Sequence, residues 1–175
     1  MPLCVPKAHA LRFGLTCPTL YEFMPEFYHF EDFTPGQSFD LGSVTVEKDQ
    51  IIEFASEFDP QPFHLDEDAG KASLLGGLAA SGWHTAALIM NLLATKLFNR
   101  SSGQGSPGVD QLRWQRPVYP GDTLSARAEI LSTKELRSKP DLGIVSIRIS
   151  ATNQNQEQVL FWENPVLFRK REIAG

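Results

Sequence analysis

Hydrophobic and polar positions along this chain change their period twice. Residues Phe39 to Val46 suit a strand, and Lys48 to Phe58 then adopt helical spacing, with Ile51, Ile52, Ala55 and Phe58 on one stripe. That short helix is predicted to stop at Asp59, because Pro60 and Pro62 cannot continue it. The acidic run Asp66-Glu67-Asp68 fits the solvated first turn of a helix better than a metal site. A lead from Leu75 to His84 then opens a long helix running to about Phe98. Trp83, Ala86, Ala87, Leu88, Ile89, Met90, Leu92, Leu93, Ala94, Leu97 and Phe98 fall on nearly every side of it, which predicts a helix surrounded by protein. It would be roughly 25 Å long at a rise of about 1.5 Å per residue.

After a Ser/Gly loop from Ser101 to Pro107, the pattern is one of strands and turns. Val145, Ile147, Ile149 and Ala151 alternate with Ser146, Arg148, Ser150 and Thr152, the signature of a sheet covered on one face. Ala126, Ala128 and Ile130 repeat it against Arg127 and Glu129, and Val159 to Arg169 make a last strand in which Pro165 marks an edge or a bulge. Pro120-Gly121-Asp122 reads as a turn. One long helix followed by antiparallel strands predicts an α+β fold in which the sheet curls around the helix. The apolar edge such a sheet leaves predicts a dimer in which two sheets join.

Composition narrows the function without choosing it. The 175 residues fit one core, and no apolar run is long enough for a membrane span. A net charge of -5 without clustered Lys and Arg argues against nucleic acid. Cys4 and Cys17 have no metal-ligand spacing with any histidine, so neither a zinc site nor a disulfide framework is expected, and a reducing, cytoplasmic setting fits. No Gly-rich turn links a strand to a helix in the pattern that binds nicotinamide cofactors. Residues 1–28 read as an irregular extension ahead of a domain at 29–172, with no signal-peptide core and with Pro2, Pro6 and Pro18 in the opening stretch.

Candidate chemistry concentrates in Asp59-Pro60-Gln61-Pro62-Phe63-His64, a proline-stiffened loop offering one carboxylate and one imidazole. Alone, Asp59 could be a helix-terminal turn residue and His64 a capped loop histidine. Together they read as an acid/base pair converging on a small molecule such as a water, because imidazole exchanges protons near neutral pH. His84, one turn into the long helix, reads as a packing residue, and Arg113, Arg116, Arg137 and Lys139 as solvated charges.

Three ordered motifs resemble the MaoC-like dehydratases, a family that includes the R-specific enoyl-CoA hydratases. They are Asp59-Pro60-Gln61-Pro62-Phe63-His64, Ala79-Ala80-Ser81-Gly82-Trp83-His84-Thr85 and Arg116-Pro117-Val118-Tyr119-Pro120-Gly121-Asp122-Thr123-Leu124, within a match spanning Phe30 to Arg169. The resemblance implies a hot-dog fold and a hydro-lyase of fatty-acid metabolism that hydrates trans-2-enoyl-CoA or dehydrates (3R)-hydroxyacyl-CoA. Asp59 and His64 would be the catalytic pair, the Gly82 amide the donor to the thioester oxygen, and Gln61, Ser81 and Trp83 substrate-binding residues. Coenzyme A would enter only as part of the substrate, with no metal or other cofactor, and the assembly would be a homodimer or higher homo-oligomer. Two positions depart from the family pattern: Gln61 stands where Asn is usual, and Met90 where a supporting serine falls about two turns past the glycine. A hot-dog thioesterase and a non-catalytic acyl-CoA-binding subunit are the alternatives. Met24-Pro25 stands just before patterned sequence begins, so translation is expected to start at Met24. Intact-mass analysis of the native protein should find that residue first, and a mass that includes residues before it contradicts the expectation.

Overall fold

A computed structural model describes residues 27–172; the expectations for the start site, for Cys4 and Cys17 and for most of the extension lie outside the described residues. After a 3-10 turn at Phe30–Asp32 the elements run β1 (Ser38–Thr45), α1 (Lys48–Phe58), α2 (Pro62–Leu65), α3 (Glu67–Ala72) and α4 (Gly82–Lys96). β2 (Gln111–Trp114), β3 (Thr123–Glu135), β4 (Leu142–Thr152) and β5 (Gln158–Arg169) follow. The strands form one antiparallel sheet in the order β1-β3-β4-β5-β2. It packs against α4 in the hot-dog arrangement of an α+β fold.

Alternation along the strands sets the covered face. Leu124, Ala128 and Ile130 of β3, Val145, Ile147 and Ile149 of β4 and Phe168 of β5 share one core with Ile89, Leu93 and Leu97 of the helix region. Tyr28, which falls in the expected extension, is buried in that core and bridges to Ser101. The acidic run behaves as a first turn: Asp66 caps α3 by accepting from the Ala69 amide at 2.8 Å.

The expectation that α4 is enclosed on all sides needs correction. Ile89 and Leu93 are fully covered, but Trp83 is 60% exposed and Met90 40%. Ala87, between them, is also exposed. One curved sheet covers only part of a helix's circumference, and apolar residues all round say nothing about what covers the far side. β5 also runs through Pro165 without a bulge. Its outer edge pairs with β2 at residues 160–163 and with the 103–105 segment at 167–168, and the proline falls between these partners. Among the described residues no helix is long and apolar enough to cross a membrane.

The segment that delivers the chain to α4 is held by a close backbone approach. A methyl group on Gly70 of α3 would lie 2.5 to 2.6 Å from backbone atoms of Gly77 and Leu78. Backbone cannot yield as a flexible side chain does, so only glycine fits. Gly70→Ala is therefore expected to destabilise the protein by about 1–3 kcal/mol, in the range of overpacked sites. A denaturant midpoint equal to wild type would contradict that.

Candidate active site

The loop between α1 and α2 places the two motif residues one helical turn apart. Asp59 ends α1, its amide donating to the Ala55 carbonyl at 3.0 Å, and its non-helical backbone turns the chain away. Pro62 opens the single turn of α2, where its missing N–H costs nothing, and that turn brings His64 back toward Asp59. His64 is buried, with Nδ1 2.7 Å from the Ala79 carbonyl oxygen. A carbonyl only accepts, so Nδ1 carries the proton of the neutral ring and Nε2 is left with a free lone pair. Nε2 stands 3.6 Å from Asp59 Oδ2, beyond direct hydrogen bonding and within reach of a shared water.

Both oxygens of Asp59 are held. The Ser81 hydroxyl donates to Oδ2 at 2.7 Å, and the Gln61 side-chain amide donates to Oδ1 at 2.8 Å. The Ser81 hydrogen bond, then that of Gln61 and the nearby imidazole, pull the Asp59 pKa below the ordinary carboxylate value against an opposing effect of burial. Ser81 Oγ also accepts the Trp83 amide at 3.2 Å, so the same hydroxyl caps α4. The Ser81 carbonyl in turn accepts from the Thr85 amide at 3.0 Å and its hydroxyl at 3.2 Å.

Gly82 follows as the first residue of α4, at the positive end of the helix dipole. Among the described residues no acceptor meets its N–H. Its carbonyl accepts from Trp114 Nε1 at 2.8 Å.

A cavity of about 460 Å³ brings these groups together. Asp59, Gln61, His64, Gly82, Trp83, Thr85, Trp114 and Arg116 all line it. Five of the six expected site residues therefore meet on one hollow. Ser81, expected at the substrate, stands behind the wall instead, fully buried and holding Asp59. Gln61 also holds Asp59 rather than reaching only toward the hollow. Met90 points out of the far side of α4, into a separate apolar hollow of about 270 Å³ with Ala87, Leu112 and Trp162. The serine that holds Asp59 here is the one just before the glycine. His84 packs under the site, stacked on Phe54 with ring centroids 4.9 Å apart, and burial lowers its pKa. The sequence reading missed Trp114, whose aromatic position just ahead of the Arg116-Pro117-Val118 motif was its one signal.

Known proteins agree with this frame. The profile of the MaoC like domain matches residues 31–152, and the chain belongs to that family. A MaoC-like dehydratase from Rhodospirillum rubrum is similar in structure, with a TM-score of 0.79 and 42% identity over 83% of this chain and 99% of that one. The R-hydratase PhaJ1 from Pseudomonas aeruginosa gives a TM-score of 0.66 and 25% identity over 84% of this chain and 92% of that one. Among relatives, uncharacterized protein YdeM of Bacillus subtilis is 34% identical over 80% of this chain and 98% of its own. Mesaconyl-CoA hydratase of Cereibacter sphaeroides is 40% identical over 39% of this chain, a stretch that makes up 20% of that protein.

The lowered pKa has a defined consequence. Folding favours the Asp59 carboxylate, so its contribution to stability is present above the ordinary carboxylate pKa near 4 and is lost as pH falls through the lower folded value. In Ser81→Ala, carboxyl-carbon NMR should show the Asp59 pKa rising from its wild-type value. An unchanged pKa would show that Ser81 does not hold the carboxylate.

Proposed function

We propose that this protein is an acyl-CoA hydro-lyase that adds water to trans-2-enoyl-CoA or removes it from (3R)-hydroxyacyl-CoA. The observation that carries the reading is His64 Nε2, the ring nitrogen opposite the one that meets the Ala79 carbonyl, set 3.6 Å from the Asp59 carboxylate on the same cavity as Gly82, whose N–H meets no acceptor among the described residues. The hydratases among its structural and sequence relatives support the reaction class, and a CoA thioester is the substrate of one of them by name.

In the hydration direction a water bridges Asp59 Oδ2 and His64 Nε2. Its oxygen attacks C3 while Nε2 takes one of its protons. The electrons of the C2–C3 double bond move onto the thioester oxygen, which the Gly82 N–H receives as an enolate. Nε2 then returns the proton to C2, completing the hydroxyacyl thioester and restoring the neutral ring. Asp59 orients the water and faces the transient imidazolium. Its depressed pKa suits it to stay ionised in that role. A helix-terminal amide aimed at a developing oxyanion is worth on the order of 3 kcal/mol, and the glycine lets the thioester approach closely.

The substrate is coenzyme A-bound, and no other cofactor enters this scheme. The working unit is a homodimer in a cytoplasmic setting. The exposed stripe of Trp83, Ala87 and Met90 on α4 is the apolar surface that a second copy would cover.

Crotonyl-CoA should lose the absorbance of its conjugated double bond without releasing thiol. Asp59→Asn and His64→Ala should each lower kcat by about 10²- to 10⁴-fold while acyl-CoA binding persists. Thiol release would make the protein a thioesterase, and binding with no turnover would make it a non-catalytic acyl-CoA-binding subunit. Either result overturns the proposal.

A further inference from the structure

Gly82 is fixed from two sides, and only one belongs to the loop-and-helix motif. On the inner side Ser81 is locked by Asp59, Trp83 and Thr85. On the outer side lies Trp114, the last residue of β2, a four-residue edge strand paired only with β5. Its indole N–H donates to the Gly82 carbonyl oxygen at 2.8 Å. Its ring also lies against the Gly82 α-carbon, where a methyl group would come within 2.6 Å of Cε2 and 2.8 Å of Cδ2 and Nε1. Trp83 meets the same ring edge-on, with centroids 5.2 Å apart.

Resting on the hydro-lyase reading above, we infer that Trp114 is the positioning residue for the oxyanion amide: it aims the Gly82 N–H at the place where the enolate oxygen forms. Glycine has no side chain to anchor its backbone and the widest choice of dihedral angles, so an amide that must meet a developing charge there needs an external constraint. The peptide that carries the Gly82 N–H is held at its carbonyl end by Thr85, which leaves the Gly82 α-carbon and the peptide after it as the part of the turn still to be fixed. Trp114 provides two constraints, a hydrogen bond that orients the peptide plane after Gly82 and a ring face that bars displacement of its α-carbon. The constraint comes from the sheet edge, so the strand that carries Trp114 is coupled to catalysis without supplying an acid or a base. It also gives Gly82 a second reason to be glycine, the close approach of the indole.

An interaction that acts on the enolate more than on the bound substrate lowers kcat and leaves KM nearly unchanged. Trp114→Phe keeps an aromatic face and deletes the N–H. With crotonyl-CoA its kcat should fall about tenfold and its KM should stay within about twofold. That factor corresponds to about 1.4 kcal/mol, the size of one well-placed hydrogen bond. Two binding measurements separate positioning from simple packing: affinity for butyryl-CoA, which has no enolate character, should hold, and affinity for acetoacetyl-CoA as its enolate should fall about tenfold. The carbonyl stretch of bound crotonyl-CoA, read by difference Raman, should move back toward its free-solution frequency. Replacing Trp114 by benzothienylalanine, which keeps the bicyclic shape and lacks the N–H, should reproduce these effects.

Wild-type kcat in both variants overturns the inference while leaving the hydro-lyase reading intact. A fall in kcat together with a rise in KM and a loss of butyryl-CoA affinity also overturns it, by showing a general packing role. If wild-type protein turns over no enoyl thioester, the hydro-lyase reading itself fails, and this inference falls with it.

Discussion

One buried hydroxyl joins the two halves of this site. Ser81 Oγ donates a hydrogen bond to Asp59 and accepts one from the Trp83 amide. The carboxylate is thereby tied to the first turn of the helix whose Gly82 lines the same cavity. Removing either bond would leave a buried polar atom unmatched, at a cost of about 1–3 kcal/mol. Ser81, wholly covered, thus links the Asp59 carboxylate to the start of the helix at Gly82 through one side chain. Around it, each group has its own support: the Ala79 carbonyl meets His64 Nδ1, Gln61 holds the second carboxylate oxygen, and the Trp114 indole donates to the Gly82 carbonyl.

The fold holds that arrangement in place. β1 and β3–β5 cover one side of α4, and α1–α3 bring the prolyl loop over the helix N-terminus. The Ala80 amide donates to the Val118 carbonyl at 2.8 Å, and the Tyr119 hydroxyl donates to the Leu75 carbonyl. These bonds pin the approach to α4 against the segment carrying the third sequence motif. All three motifs therefore converge on one place, although the first and last are separated by more than half a hundred positions.

Much of this was legible in the sequence because it depends on local rules. The span of α1 follows from Ile51 and Ala55 of its apolar stripe and the prolines beyond it, although Phe58 at its end is exposed, and the alternation at Val145 to Thr152 marks β4. The pairing of Asp59 with His64 was legible because both lie in one stiffened loop. What escaped depends on contacts across the fold. Ser81 could be placed next to Gly82, but nothing local says that its hydroxyl turns inward to a carboxylate 22 residues earlier. Trp114 lies 32 residues from the glycine it touches, on a half-exposed strand too short to show a period. The exposed side of α4 was misread for the opposite reason: hydrophobicity reports what prefers to be covered, not which surface covers it.

The most direct test is a crystal structure of the Asp59→Asn protein with a bound (3R)-hydroxyacyl-CoA. The thioester oxygen should lie about 3 Å from the Gly82 amide nitrogen, a normal hydrogen-bond distance, with the 3-hydroxyl facing His64 Nε2. A thioester seated elsewhere, such as the apolar hollow beside Met90, would contradict the account.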